Sequence, residues 1–283
     1  VSFFTEVDSL GIVENHIQSL QKLEESKAKV LLRRYREART QLQDRLSSLP
    51  RGTFTAQQLS GVLAQVEAGI AVMSRGLKDG MREVAPETAL VGIEDLLSEL
   101  KKFDQHFLGA VTPINLNTQL LAQDTSNFLL NKYEASIQAY SESLRSHLVS
   151  EITMASLMQE GLSRTVDNMV AGIGRFFAGE EWKLFRIART ELHGVYNLGK
   201  MNGMKETRTA YLPDLMKALI HPMDSRTGAD SKYLAEIDPI VPIDQPFRYR
   251  WQGQVRVFMA PPDRPNDRAI LVPYRQAWEE SIE

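Results

Sequence analysis

Nine of the twelve prolines lie between Pro213 and Pro273, and none interrupts the 99 residues from 114 to 212. Proline lacks a backbone N–H, and its ring clashes with the preceding helical turn. A chain that avoids it over this length while placing apolar residues three and four apart is expected to be helical there. All three tryptophans, Trp182, Trp251 and Trp278, fall in the last 102 residues. The expected fold class is therefore α+β, mainly α. A long helical region, 1–150, precedes a smaller α+β domain, 151–283.

The apolar spacing divides the first region further. Leu10, Val13, Ile17 and Leu20 begin one stripe, and Leu31, Tyr35, Ala38, Leu42 and Leu49 resume it, with Glu24 and Lys27 in the seam. Such a stripe requires a partner helix, inside the chain or from another subunit. Pro50-Arg51-Gly52 ends it. Thr55 to Gln58 reads as a capping box for a second helix with Leu59, Val62, Val66, Ile70, Met73, Leu77 and Met81 on one face. Pro86 is expected to stop that helix, and a third to follow through Ile93, Leu97, Leu100, Phe103 and Phe107. A fourth stripe carries Leu116, Leu120, Phe128, Tyr133, Ile137, Tyr140, Leu144 and Leu148. Two shorter helices, 151–177 and 180–206, are expected on either side of Gly179.

Beyond Pro213 the period falls to two. Phe247, Tyr249 and Trp251 alternate with Arg248 and Arg250, Gln252-Gly253 supplies a turn, and Val255 and Val257 flank Arg256, which reads as a β-hairpin. Its three arginines are expected on the face opposite its apolar residues. Ala269–Val272 reads as a further strand and Lys217–His221 as another candidate.

Several classes are excluded or disfavoured. Without cysteine there is no disulfide, thiolate nucleophile or cysteine-held metal. No apolar window has the length of a membrane span, and the first thirty residues lack a signal-peptide core, so no membrane partner is expected. The first residue is Val1, not Met, which fits a processed or trimmed N-terminus without deciding it. The net charge of −3 is spread as +2 over 1–60, −6 over 61–180 and +1 over 181–283, too little basic excess to announce nucleic acid by charge alone.

Polar residues concentrate in Ile187–Asn197. Helical spacing puts Arg189, His193, Tyr196 and Asn197 on one face, with Glu191 offset. That face is either a binding surface or the set of side chains that pins the proline-rich segment behind it. His221, Asp224 and Arg226 occupy a turn-rich stretch. Glu191, His193, His221 and Asp224 could together serve a metal-dependent nucleic-acid hydrolase, although no short ligand pair such as His-x-x-x-His is present. Neither a Gly-x-Ser-x-Gly elbow nor a Walker loop occurs, so no enzyme, cofactor or metal is expected. Two basic patches have interleaved aromatics. Arg33, Arg34 and Arg36 flank Tyr35, and Arg248, Arg250 and Arg256 lie in the hairpin. Either patch can meet phosphates or remain a solvated face; neither carries a base-reading motif.

The order of short motifs carries more than any one of them. Arg186-Ile-Ala-Arg-Thr-Glu191, then Tyr196-Asn197 and Gly199, resembles the central helix of the phage head morphogenesis family, the Mu F-like minor head proteins of tailed bacteriophages. Asp224-Ser-Arg-Thr227 resembles its Asp-x-Arg-Thr turn. Pro246-Phe247, Ala260-Pro-Pro262 and Pro265-Asn-Asp-Arg268 resemble its closing elements, in the same order. The resemblance covers roughly residues 151–276. Gly228–Ser231 and Asp267-Arg-Ala269 stand where many members carry Cys or His, so a metal site of such relatives is absent here.

The resemblance implies a non-enzymatic virion component at the portal vertex inside the capsid, assembled in the bacterial cytoplasm. Its implied partners are the portal protein or the major capsid protein and viral double-stranded DNA, with a possible oligomer around the portal. Its implied work is head assembly and DNA packaging or ejection. On this view Arg189, Thr190, Glu191, Asn197, Asp224, Arg226, Asn266 and Arg268 are structural. A prophage-derived or toxin-delivery adaptor reusing the same domain is a further expectation.

Overall fold

Among the described residues, the part of the chain before Pro213 contains four long helices, two of them in the proline-free run. The computed structural model describes residues 2–48, 56–157, 162–222, 224–225, 227–237, 239–264 and 267–282. Side chains are described for all of these except 45–46, 56–59, 151–157, 162–170 and 172–180. Among them, α1 (Phe3–Ser9), α2 (Ile12–Ser47) and α3 (Ala56–Phe103) lead into a π-helical turn (Asp104–Leu108). Then come α4 (Thr118–Leu157), α5 (Leu162–Ala210), β1 (Met216–Ile220), α6 (Ala229–Glu236) and β2 (Ile240–Pro242). β3 (Phe247–Trp251), β4 (Gln254–Phe258), β5 (Ile270–Tyr274) and α7 (Gln276–Glu280) complete the order. The class is α+β, mainly α, as the sequence implies. The capping box at Thr55–Gln58 and the Pro50–Gly52 break lie outside the described residues and side chains.

Two expected helix breaks do not occur. Pro86 sits inside α3. The one backbone bond it removes, worth about 3 kcal/mol in a free helix, is offset by burial on both sides. Met81, Val84, Ala85 and Ala89 are all core residues, and the Thr88 hydroxyl donates to the Val84 carbonyl at 2.9 Å. Gly179 lies inside α5; a helical glycine costs about 1 kcal/mol, less than ending and renucleating a helix.

The chain divides into two compact units, Val1–Ser26 with Val84–Leu129 and Ala188–Glu283, and Lys27–Glu83 with Leu130–Ile187. Each of α2, α3, α4 and α5 contributes to both, so this division cuts across the split at 150 expected from composition.

The first unit holds the strands. β1 pairs antiparallel with β2 on one side and β5 on the other, in the order β2-β1-β5. β5 is buried at every position. Phe3, Phe103, Tyr274 and Trp278 form an aromatic knot, with Phe3 edge-on to Tyr274 at 5.0 Å between ring centres. Asp104 anchors it. Its carboxylate accepts from Trp278 Nε1 at 2.9 Å, Arg275 Nη1 at 3.1 Å and the Thr112 N–H at 3.1 Å. In the second unit, Leu31, Tyr35, Ala38, Leu42, Val66, Ile70, Met73, Leu77, Tyr133, Ile137, Leu144 and Leu148 are buried as the stripes require. Tyr35 and Tyr140 share a hydroxyl hydrogen bond of 2.7 Å.

The fourth stripe is displaced at its start. Leu120 and Phe128 are 56% and 69% exposed. Counting back from Tyr133 by threes and fours reaches Leu129, Ser126, Thr125 and Ala122, and these are the buried positions. Thr125 and Ser126 are tolerated inside because their hydroxyls donate to the Leu121 and Gln123 carbonyls at 2.7 and 2.9 Å.

The hairpin corrects a further expectation. Gln252 and Gly253 both have positive φ, 47° and 80°, which makes the two-residue turn whose twist suits a hairpin. That turn fixes the register, with Tyr249 opposite Arg256, Arg248 opposite Val257 and Arg250 opposite Val255. Directly opposed residues share a face. Arg256 therefore lies on the inner face with Phe247 and Tyr249, and Val255 and Val257 lie on the outer face with Arg248 and Arg250.

Candidate functional site

The second half of α5 is placed by close backbone contact. A Cβ on Gly199 would lie 2.5 Å from the Ala89 carbonyl oxygen, and one on Gly92 2.3 Å from that of Tyr196. Only glycine at both positions lets α3 and α5 approach this closely. The polar face of α5 then meets β5, the outer strand of its sheet, which has backbone groups that no strand pairs.

Asn197 takes the place of the missing strand. Its Oδ1 accepts from the Leu271 N–H at 2.8 Å, and its Nδ2 donates to the Ala269 and His193 carbonyls at 3.4 and 3.1 Å. One side-chain amide thus serves a donor and an acceptor two residues apart on the same strand edge, as a neighbouring peptide would. Asn197 is fully buried, so each of these bonds is made away from water.

His193, one turn earlier, is held between two acceptors. Nδ1 lies 2.7 Å from Glu24 Oε1, and Nε2 lies 2.6 Å from the Ala269 carbonyl. A neutral imidazole can donate from only one nitrogen, so satisfying both partners requires the imidazolium. Burial alone would push its pKa down; the Glu24 carboxylate, assisted by Asp267 and the Ala269 carbonyl, outweighs that and holds it above the ordinary range. Arg189 Nη2 reaches the other Glu24 oxygen at 3.5 Å. Glu24 is, with Lys27, one of the two residues in the seam of the α2 stripe.

A second lock closes the turn after β1. Arg268 grips Asp224 through two parallel bonds, Nη1 to Oδ2 at 2.8 Å and Nη2 to Oδ1 at 2.6 Å, and Nη2 also reaches Thr227 Oγ1 at 3.2 Å. The Thr227 hydroxyl donates to the Pro222 carbonyl, and the Thr227 N–H donates to the Asp224 carbonyl at 3.1 Å. The bidentate bond to Asp224 raises the Arg268 pKa. Asp224 and Arg268 are 44 residues apart in sequence, and the two motifs that contain them close on each other. Arg226 and Asn266 lie outside the described residues. Thr190 and Glu191 are half-buried on α5.

The hairpin's inner face is tied down by a third cluster. Tyr249 Oη donates to Asp263 Oδ2 at 2.8 Å, Arg256 Nη1 lies 3.4 Å from the same oxygen, and Arg264 bridges Asp263 and Asp230 at 2.7 and 2.9 Å. Burial, reinforced by Asp263, pushes the Tyr249 phenol above its ordinary value.

The four residues considered for metal-assisted chemistry are not gathered into one site. Both His193 nitrogens face protein acceptors, Asp224 is chelated by Arg268, and His221 is buried with Nε2 lacking a hydrogen-bond partner among the described residues. Burial lowers the His221 pKa and favours its neutral form. Among the described residues no three His, Asp or Glu side chains are placed to share a metal ion. His221 and Asp224 both border a cleft of about 470 Å³ with Val13, Ile17 and Gln21.

The basic patches differ from one another. In the second unit each arginine of the first patch faces a carboxylate. Arg36 makes a two-pronged contact with Glu181 at 3.2 and 2.8 Å, Arg34 lies 3.5 Å from Glu83, and Arg33 lies 4.0 Å from Glu37. On the hairpin, Arg256 is engaged by Asp263, whereas Arg248 and Arg250 are exposed and make no ion pair among the described residues.

Sequence spacing missed one buried network. Lys200 Nζ donates to Glu99 Oε1 at 2.6 Å with both side chains fully buried, His16 Nδ1 reaches the same oxygen at 2.8 Å, and Tyr196 Oη donates to Asp95 at 2.8 Å. Lysine and glutamate on helical stripes read as surface residues unless their partner, 101 positions away, is known. No described helix is long and apolar enough to cross a membrane. Compared with known proteins, the chain matches no family model, no curated protein and no solved structure.

Proposed function

We propose that this chain is a minor head protein of a tailed bacteriophage, a structural component at the portal vertex inside the capsid that acts in head assembly and in DNA packaging or ejection. The observation that supports the reading is what the ordered motif residues do. Asn197, Asp224, Thr227 and Arg268 spend their polar atoms on one another and on the strand edge, stitching α5, the turn after β1 and β5 into one C-terminal fold. A motif set used in this way specifies an architecture, and the long helices then offer surface to a portal or capsid partner. Among the α2 arginines, Arg34 and Arg36 face carboxylates of other helices and Arg33 faces Glu37 of its own, so this patch is assigned to helix cohesion before DNA.

Deletion and complementation of the gene test the proposal. Loss of the chain should yield heads that fail to fill with DNA or particles that fail to deliver it, with rescue by the wild-type chain. Normal, infectious particles in its absence would refute it.

A further inference from the structure

Two exposed faces of the first unit are unpartnered and complementary. On the outer face of the hairpin, Arg248 and Arg250 form a cationic column on β3, and Val255 and Val257, 50% and 51% exposed, form an aliphatic column directly opposite on β4. On the first turns of α4, Leu120, Asp124 and Phe128 follow one another four residues apart, all exposed, and therefore form one ridge. Asp124 makes no ion pair or hydrogen bond among the described residues. It stands six residues after the start of α4, beyond the first turn where a carboxylate would stabilise the helix end.

We infer that the hairpin face docks on the α4 ridge of a second copy of this chain. The spacings match. The four hairpin residues form a grid of about 7 by 5 Å, and successive ridge residues stand about 6 Å apart. With the ridge laid across the two strands, Asp124 falls over the arginine column and Phe128 reaches the valine column, with Leu120 beyond the far side of β3. DNA fits the same face less well. Half of the grid is aliphatic and would gain nothing from phosphate, and the chain carries a net charge of −3. Because the two patches differ, the contact is head to tail and propagates into a ring or an open filament. The apolar area is small beside the roughly 800 Å² per partner of a standard stable interface, so the contact is weak between free copies and strengthens when copies are held side by side. It is a property of this chain alone and holds whether or not the chain belongs to a phage head.

The absence of cysteine makes the test clean. Val257→Cys and Phe128→Cys are prepared separately, mixed in equal amounts and mildly oxidised. The expected product is the mixed disulfide dimer, in excess over dimers of either variant with itself. Asp124→Arg in the Phe128→Cys chain should lower the mixed product about tenfold, and Arg248→Asp with Arg250→Asp in the other chain should restore it. Circular dichroism of each variant checks that these exposed substitutions leave the fold intact. Absence of the mixed dimer, or a yield indifferent to both charge reversals, overturns the inference. So does duplex DNA binding that depends on Arg248 and Arg250 while the disulfide yield does not.

Discussion

The substitution Asn197→Ala removes three hydrogen bonds with one change, and its cost can be worked from the groups it strands. The Leu271 N–H loses its partner while remaining buried, which costs about 1–3 kcal/mol. The Ala269 carbonyl keeps His193 as a donor, so that acceptor is only partly deprived. The His193 carbonyl is already within its helix. A cavity the size of a carboxamide adds to the loss, because the site is fully buried and has little room to collapse. Together these give about 2–4 kcal/mol. Two measurements check it. Urea denaturation should show a lower midpoint with an unchanged slope, and native-state hydrogen exchange should show the Leu271 amide losing protection more than the amides of β1. Asn197→Asp separates the roles. It keeps an acceptor for Leu271 but sets a carboxylate against two carbonyls, so it should be at least as damaging at neutral pH. A stability change under about 0.5 kcal/mol with Leu271 still protected would refute the claim that this amide stands in for a strand.

Three further predictions test the neighbouring contacts. The His193 imidazolium has a raised folded-state pKa, so its contribution to stability is complete below about pH 6.5 and is lost as pH rises through the folded value. The stability difference between wild type and His193→Gln should therefore shrink on going from pH 6 to pH 9, and a difference that grows would show that the histidine is held neutral. Arg268→Lys replaces a two-pronged grip by a point charge and should cost about 1–2 kcal/mol by urea denaturation, discounted because Asp224 is partly exposed; no change would mean that water holds the turn equally well. Gly199→Ala gains about 1 kcal/mol of helix propensity yet drives a methyl to 2.5 Å from the Ala89 carbonyl. Strain of about 1–3 kcal/mol should leave the variant less stable, and a raised Tm would contradict the close approach of α3 and α5.

The sequence was most legible where one element settles its own pattern. The stripes of α2 and α3 place Val13, Ile17, Leu20, Val62, Val66, Ile70 and Met73 in the core by spacing alone. It was least legible where a remote partner decides. Glu24 stood in the seam of a stripe, but its partner His193 is 169 residues away. Pro86 and Gly179 carry real local penalties, yet tertiary burial and helix continuity outweigh them. The hairpin was misread for a different reason. Apolar residues alternate correctly on each strand, but a two-residue turn puts odd positions of β3 opposite even positions of β4, so the aromatics of β3 and the valines of β4 fall on opposite faces. Counting across the turn would have found Arg256 inside and Val255 and Val257 outside. Of the candidate site, the shared face of Arg189, His193, Tyr196 and Asn197 followed from helical spacing; that His193 and Asn197 grip a strand edge required knowing where β5 runs.

Quantitative mass spectrometry of purified, DNA-filled particles of a tailed phage carrying this gene tests the proposed role most directly. A structural role at the portal vertex predicts a few copies per particle, in fixed proportion to the portal protein and retained after nuclease treatment and washing. Complete absence from filled particles would contradict it.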